Sequence, residues 1–578
     1  MFHAAAEPHT NLGVVICPPF GWEDMASYRP RREWAQVLAE RGIATLRFDL
    51  PGTGDSGGYP TDDRRLDAWT GAIVEATAWL RNETGCRRVV AIGIGVGGLL
   101  AYCAMAGGAL IDDLVLWGSP GRGRTFIRET GAFARMEAAM RAQGDEGVND
   151  ELPRDWLVAG GYVITAETRA ALEALDVGEL NLPSLVGRRA LLLERDGLSV
   201  DSRLFEALTG QQVSVETAPG PGYGKMMVEP QFARAPMPLV QQVTDWILRL
   251  ETSDSPLHPT GKVPRDTDDV HVRAPDGTLV RESFLSIPHS LGTMFAVLSE
   301  PLEGAHEVTC LLLGGTGHRI GPNRMWVEAA RRWAACGVAT VRLDLAGAGD
   351  AGGTTAPDVP TLYAPELTEQ LSTVFQELER RGLPSRTLAV GLCAGAYWAL
   401  HASLHVEQEV IPIMINPRVL IWDDRGHVNR MSRHYLEQIR HASSWRRLTR
   451  GEISLVGARK LLLRRLGMMA SLRRKPEPAL QSSENIDRLF DKLRDRGLRP
   501  LIVFTGRESL YEEFRREGRL ERLERWPNLT LEVIPGRSDL HTLRQIWLQR
   551  KVHKLLDDTL WRELHFNEPK VCSQTSTD

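Results

Sequence analysis

The sequence predicts two α/β units in series, each a mostly parallel sheet flanked by helices and carrying a helical cap. Three observations carry that prediction. Residues 42–58 read GIATLRFDLPGTGDSGG and residues 337–353 read GVATVRLDLAGAGDAGG, an internal repeat that marks two copies of one plan. In each copy, apolar β-branched runs alternate with stretches of helical periodicity, the pattern of parallel strands joined by crossover helices. Each copy also places a compact glycine turn between a strand and a helix, GIGVGG at 93–98 and GLCAGA at 391–396.

The elements follow in order. Before each repeat stands a helical stretch, Arg32–Arg41 or Arg324–Cys336, and after each comes another, Asp67–Arg81 or Pro365–Arg381. Later strands end at Gly, Pro or acidic punctuation: LVLWGSP and ALLLERDG in the first half, VIPIMINP and LIVFTG in the second. The second half adds extended segments, Leu279–Ile287 and Thr293–Leu298, before its first buried strand, so the first half reads as truncated at its start. Between the halves, ETSDSPLHPTGKVPRDTD is polar and aperiodic, as a linker is. The expected division is therefore 1–252 for a degenerate first domain, 253–268 for the linker, 269–566 for a catalytic domain and 567–578 for a frayed tail. Caps are expected at about 120–186 and about 418–496, where they would cover the C-terminal edge of each sheet.

Composition excludes several classes. Of 578 residues, 43% are hydrophobic and 25% charged, with a net charge of -5, which fits a folded chain and supplies no cationic field for nucleic acid. Seven scattered cysteines without CxxC spacing argue against a disulfide scaffold or zinc ribbon, and no metal site is expected. The N-terminus lacks the basic flank and apolar core of a signal peptide, so a cytoplasmic location is expected. Residues 89–111 are uncharged and long enough to span a bilayer. Four glycines at 93, 95, 97 and 98 would each cost about 1 kcal/mol in a helix, so the stretch reads as a strand, a turn and a buried helix.

The chemistry concentrates in the second half. A strand followed by G-x-Nu-x-G and a helix is a nucleophile elbow, whose glycines permit a tight turn that lifts the central side chain above the sheet. That residue is Cys393, whereas the first half has Gly95 and no nucleophile. No histidine occurs between residues 10 and 257, so the first half cannot assemble a nucleophile–His–acid triad. In the second half His541 follows a late strand, where the base belongs. Lys225 falls where His541 would in the first half. The acid should follow the preceding strand; Glu508 comes first and Glu512 second, and Glu508 is preferred for its place beside the strand end. Oxyanion donors are backbone groups, and Ala394 N–H with a second donor near Thr316 on the GGTGHR loop are the candidates. His318 on that loop and, in the cap, Tyr435 and Trp445 are candidate substrate contacts. Residues 418–499 hold 20 Lys/Arg against 9 Asp/Glu, a surface suited to an acidic carrier protein or the phosphates of coenzyme A.

These residues resemble the α/β-hydrolase superfamily over most of both halves. The second half, with HRIGPNR, VRLDLAGAGDAGG, GLCAGAYWAL and TGRESLYEEF, resembles the exosortase A system-associated hydrolases of type 1. The first, with CPPFGWEDM and LRFDLPGTGDSGG, resembles their type 2 companions, so the chain reads as a fusion of two proteins usually separate. The resemblance implies Cys393, Glu508 and His541 as nucleophile, acid and base, with Glu508 where the family pattern has Asp. GxCxG elbows also occur in dienelactone hydrolases and polyhydroxyalkanoate synthases. The expected activity is acyl transfer from a thioester or ester through an S-acyl-cysteine, without a cofactor; simple ester hydrolysis and a non-catalytic scaffold are the competing readings.

Overall fold

The computed structural model describes residues 1–6, 11–141, 152–180, 182, 185–230, 232–249, 269–304, 308–315, 317–353, 361–422, 483–536 and 540–564. The expected linker, the C-terminal tail, most of the second cap, Thr316, Tyr435 and Trp445 lie outside the described residues.

In the first half the chain runs β1 (Phe2–His3), β2 (Leu12–Cys17), α1 (Trp22–Glu40), β3 (Ala44–Arg47), α2 (Arg65–Thr84), β4 (Arg88–Ile94), α3 (Val96–Ala106) and β5 (Asp113–Trp117). It continues through α4 (Gly123–Arg141), β6 (Leu157–Ala159), β7 (Tyr162–Ile164), α5 (Ala166–Glu173), β8 (Arg189–Leu193), α6 (Ser202–Gly210), β9 (Ser214–Ala218), α7 (Tyr223–Met226) and α8 (Met237–Leu248). The second half opens with β10 (Asp269–Arg273), β11 (Leu279–Ile287), β12 (Met294–Pro301), β13 (Thr309–Leu313), α9 (Met325–Ala335), β14 (Ala339–Asp344) and α10 (Pro365–Arg380). It closes with β15 (Thr387–Leu392), α11 (Ala394–His405), β16 (Val410–Ile415), α12 (Ser483–Asp495), β17 (Leu501–Thr505), α13 (Ser509–Arg516), β18 (Thr530–Ile534) and α14 (Ile546–Glu563).

Both halves have the α/β-hydrolase fold. The first sheet is ordered β1-β3-β2-β4-β5-β8-β9 and the second β10-β11-β12-β14-β13-β15-β16-β17-β18. From β3 and β14 onward the two orders correspond strand for strand, and every pairing there is parallel. Helices cover both faces, so β2, β13 and β15 are buried along their whole length and need apolar residues at every position rather than at alternate ones. Each sheet accordingly has an apolar cluster on either side. Where the second sheet carries β10, β11 and β12, the first has only the two-residue β1, antiparallel to β3.

The sequence reading needs adjustment in three places. The first cap is not purely helical, because β6 and β7 form an antiparallel hairpin that turns at Gly160 and Gly161, both at positive φ. Helix α1 begins ten residues earlier than expected and contains Pro30, which withholds one amide from the ladder without ending the helix. Cys336 is disulfide-bonded, whereas Cys17, Cys86, Cys103, Cys310 and Cys393 are free thiols. The apolar stretch 89–111 divides into β4 and α3 at Gly95, and no helix among the described residues is long and apolar enough to cross a membrane.

Candidate active site

The elbow is forced by close packing. A Cβ on Gly391 would lie 2.0 Å from Gly395 O, and one on Gly395 would lie 2.5 Å from Leu313 O, so neither position accepts a side chain. Cys393 between β15 and α11 is held at φ 58°, ψ -114°, an uncommon conformation for a residue with a side chain, and its N–H donates to Ile415 O at 2.9 Å. The turn places the thiol at the C-terminal edge of the sheet, where the loops after β17 and β18 converge.

Those loops bring two distant residues to it. Glu508 stands at the N-cap of α13 and is buried, and both of its carboxylate oxygens lie 3.0 Å from His541 Nδ1. Glu512, one turn later, faces outward and pairs with Arg515. The Cys393 thiol sits beside His541 and Arg418, and Arg418 Nε comes within 3.2 Å of His541 Nε2. Burial opposes ionising the thiol, but the positive charge of His541 and Arg418 outweighs it and holds the thiol below the ordinary thiol range. Burial likewise opposes charging His541, and the thiolate and Glu508 together raise it above the ordinary imidazole range. Elsewhere burial acts unopposed, and Cys17 and Cys103 are pushed up to about 12.

Two residues that carry no recognisable motif complete the arrangement. Asn416, at φ 48° just past β16, donates from Nδ2 to Thr505 Oγ1 (2.8 Å) and to His541 O (3.1 Å), while its Oδ1 accepts from Thr505 N at 2.9 Å. Thr505 Oγ1 in turn donates to Leu540 O at 3.1 Å, so the backbone carrying His541 is tied to the strand ends on both sides. Arg418 is the second. An Asn tolerant of left-handed φ directly after a parallel strand is the only sequence signal for either.

The loop after β13 lies against the elbow. Gly315, at φ 64°, could not carry a Cβ, which would fall 2.5 Å from Leu392 O and 3.5 Å from Ala394 N. His318 is buried, its ring edge-on to that of Tyr28 from the first half with centroids 3.7 Å apart. It lines a cavity together with Met25, Tyr28, Gly315, Gly317 and Trp398. His318, Asp344 and Asp350 bring three ligand-type atoms together, but the carboxylates are already compensated. Arg319 Nη1 lies 2.6 Å from Asp344 and 3.0 Å from Asp350, and Arg47 Nη2 lies 2.6 Å from Asp350.

The elbow of the first half has the same backbone and a filled site. Gly95 adopts φ 55°, ψ -129°, close to Cys393. A Cβ there would lie 2.8 Å from Tyr223 Oη and 2.9 Å from Glu23 Oε2, and Tyr223 donates to Glu23 at 2.9 Å. Lys225 holds the loop position that matches His541 in the chain, but its side chain does not reach the elbow. Lys225 is exposed, and Tyr223 reaches the elbow instead, because Asp196 accepts from Gly222 N (2.5 Å) and Gly224 N (2.6 Å) and so turns Tyr223 inward.

The comparisons agree with this fold. Residues 14–246 match the family model described as Alpha/beta hydrolase family, a match that falls on the half with the glycine elbow. No curated protein matches the chain. Among solved structures, an α/β serine hydrolase without lid from Xanthomonas campestris is similar at 15% identity, over 50% of this chain and 97% of that one, with a TM-score of 0.29. A thioesterase domain from the curacin biosynthetic pathway is similar at 15% identity over 48% and 99%, with a TM-score of 0.29. A dienelactone hydrolase from Anabaena variabilis is similar at 13% identity over 49% and 98%, with a TM-score of 0.30. At this identity and overlap they carry no information about the reaction.

Proposed function

We propose that the second half is an acyl-transfer enzyme working through S-acyl-Cys393, with His541 as base and Glu508 as the acid that orients it. The observation that carries this reading is the convergence of three residues from three separate loops, with the thiol lowered by His541 and Arg418 and both Glu508 oxygens 3.0 Å from Nδ1. In the first step the thiol gives its proton to His541 Nε2 and the thiolate attacks the carbonyl carbon of a thioester or ester. Ala394 N–H and a donor at Thr316 hold the oxyanion. The bond to the leaving sulfur or oxygen breaks, and His541 returns the proton to it. In the second step His541 takes a proton from water or another acceptor, which attacks the S-acyl carbon, and the thiol is regenerated. A thiolate expels a thiol or an activated alkoxide readily but an amide nitrogen poorly, so thioesters rank above esters and esters above peptides. The basic stretch 418–499 suits donors carried on coenzyme A or an acidic carrier protein.

In this reading the first half is a non-catalytic partner, and the chain is a fusion of two hydrolase-type units. What supports it is the Tyr223–Glu23 pair occupying the space above Gly95. The test is intact mass after brief incubation with a panel of acyl N-acetylcysteamine thioesters. An acyl adduct on the parent, absent from Cys393→Ala and slowed in His541→Ala, is expected. Its decay in water alone or only with an added amine separates hydrolysis from transfer. No adduct, together with a Cys393 inert to iodoacetamide, refutes the proposal and leaves the scaffold reading.

A further inference from the structure

The loops of the internal repeat face each other across the two halves and exchange partners. Arg47 corresponds to Arg342 and Asp55 to Asp350, each pair offset by 295 residues in the repeat. Arg47 pairs with Asp350, and Arg342 pairs with Asp55. Equivalent residues contacting each other's equivalents is the mark of an isologous contact, here made within one chain. The contact is extensive and buried. Arg324 donates to Gly54 O (2.9 Å) and Gly58 O (2.7 Å), and Arg331 donates to Ser56 O (3.0 Å) and Asp55 O (2.6 Å). Burial opposes ionising Asp55, yet Arg319 and Arg342 together hold its carboxyl well below the usual carboxylate range.

The exchange is unequal in one respect that bears on the active site. Asp55 pairs not only with Arg342 but with Arg319, the residue that ends the oxyanion loop. At its other end that loop is fixed by Gly315 against the elbow. Arg319 is held by its own N–H on Asp344 Oδ1 (2.7 Å), by Nη1 between Asp344 and Asp350, and by Nη2 on Asp55 of the first half. Within the loop, Gly317 N–H closes a turn on Gly314 O at 3.2 Å. Tyr28 of the first half adds a wall, its ring against His318 and its hydroxyl on Asp350.

We infer that the first half is a working part of the second half's active site, with Asp55 a positioning residue that holds the oxyanion loop in place through Arg319. The inference rests on the reading of Cys393 as the residue that accepts the acyl group. It separates two properties of the cysteine. Alkylation by iodoacetamide needs only the thiolate, which His541 and Arg418 generate. Acylation by a thioester needs the oxyanion donors as well. Removing a single oxyanion donor costs about 10²–10³ in rate, which bounds the effect of displacing the loop.

The experiment compares full-length parent, Asp55→Asn and Arg331→Gln, measuring the rate of acylation by butyryl-N-acetylcysteamine per thiol that iodoacetamide can titrate. Arg331→Gln loosens the same interface at Ser56 and Asp55 backbone carbonyls without touching loop 314–319. Asp55→Asn is expected to lower the acylation-to-alkylation ratio about tenfold or more, with alkylation unchanged, and Arg331→Gln to leave the ratio at the parent value. If Asp55→Asn gives no folded protein, Arg319→Lys decides the matter by the same ratio, because lysine keeps the charge but cannot bridge three carboxylates. An unchanged ratio in the folded variant overturns the inference, as does an equal fall in Arg331→Gln. A parent that is alkylated but never acylated sinks the proposed reaction and this role together, whereas an acylated parent matched by Asp55→Asn sinks this role alone.

Discussion

Glu508→Gln isolates the electrostatic part of the triad. The side chain keeps its shape and an oxygen that can accept from His541 Nδ1, but the charge is lost at a site where the His541 and Glu508 side chains are only 9% and 8% exposed. A hydrogen bond to a charged partner contributes roughly 1.5–3 kcal/mol. A neutral amide oxygen still contributes about 1 kcal/mol, so the lost charge amounts to about 1–2 kcal/mol, a change of about one pH unit in the titration of His541. The sign follows from the direction of each shift. Glu508 is among the groups that raise His541, and charged His541 is the leading group that lowers Cys393, so removing the carboxylate returns both toward their ordinary values. The thiolate therefore persists above the thiol's titration and is lost at a higher pH in the variant than in the parent. The assay is the pH dependence of iodoacetamide alkylation at Cys393, followed on its peptide by mass spectrometry. The parent is expected to reach half its limiting rate below the ordinary thiol value of about 8.5, and the variant at a higher pH than the parent. Superimposable profiles would show that Glu508 does not act on the thiol, whatever its effect on turnover.

Three further outcomes are expected. Asn416→Ala removes three buried hydrogen bonds at about 1 kcal/mol each and places alanine at φ 48°, so urea unfolding should show a loss of about 3–4 kcal/mol, with Cys393 alkylation at neutral pH also slowed. Gly95→Ser should destabilise the first half by about 2–3 kcal/mol and give no fluorophosphonate adduct there, because the new side chain meets Tyr223 and Glu23; an adduct would contradict the filled site. Gly315→Ala should lower acylation by roughly tenfold or more and alkylation by less, since the added Cβ pushes the loop from Leu392 O at 2.5 Å.

Features set by local spacing were legible before any coordinates. The repeat, the parallel sheets and the elbow follow from hydrophobic runs and glycines that permit few other backbones, and the order Cys393, Glu508, His541 follows from which strand each residue trails. Glu508, at the N-cap of α13, meets His541, and Glu512, one turn on, pairs with Arg515 instead. Loop position gave Lys225, an exposed residue, whereas the side chain that reaches the elbow is Tyr223, two residues before it. Which residue of a turn points inward depends on its capping, and Asp196 supplies that from 28 residues before Gly224. Asn416 and Arg418 were invisible for a related reason, since neither acts through a neighbour in sequence.

The sequence by itself determined the backbone of each half and the identity of the residue on each elbow, because strand burial and glycine sterics act within a few residues. Only the tertiary structure decided how the halves meet. The repeat shows that Arg47 and Arg342, or Asp55 and Asp350, occupy equivalent places, but equivalence says nothing of whom each one pairs with. That each arginine finds the other half's aspartate, and that Asp55 also takes Arg319, is set by buried charges that must be compensated wherever packing brings them together.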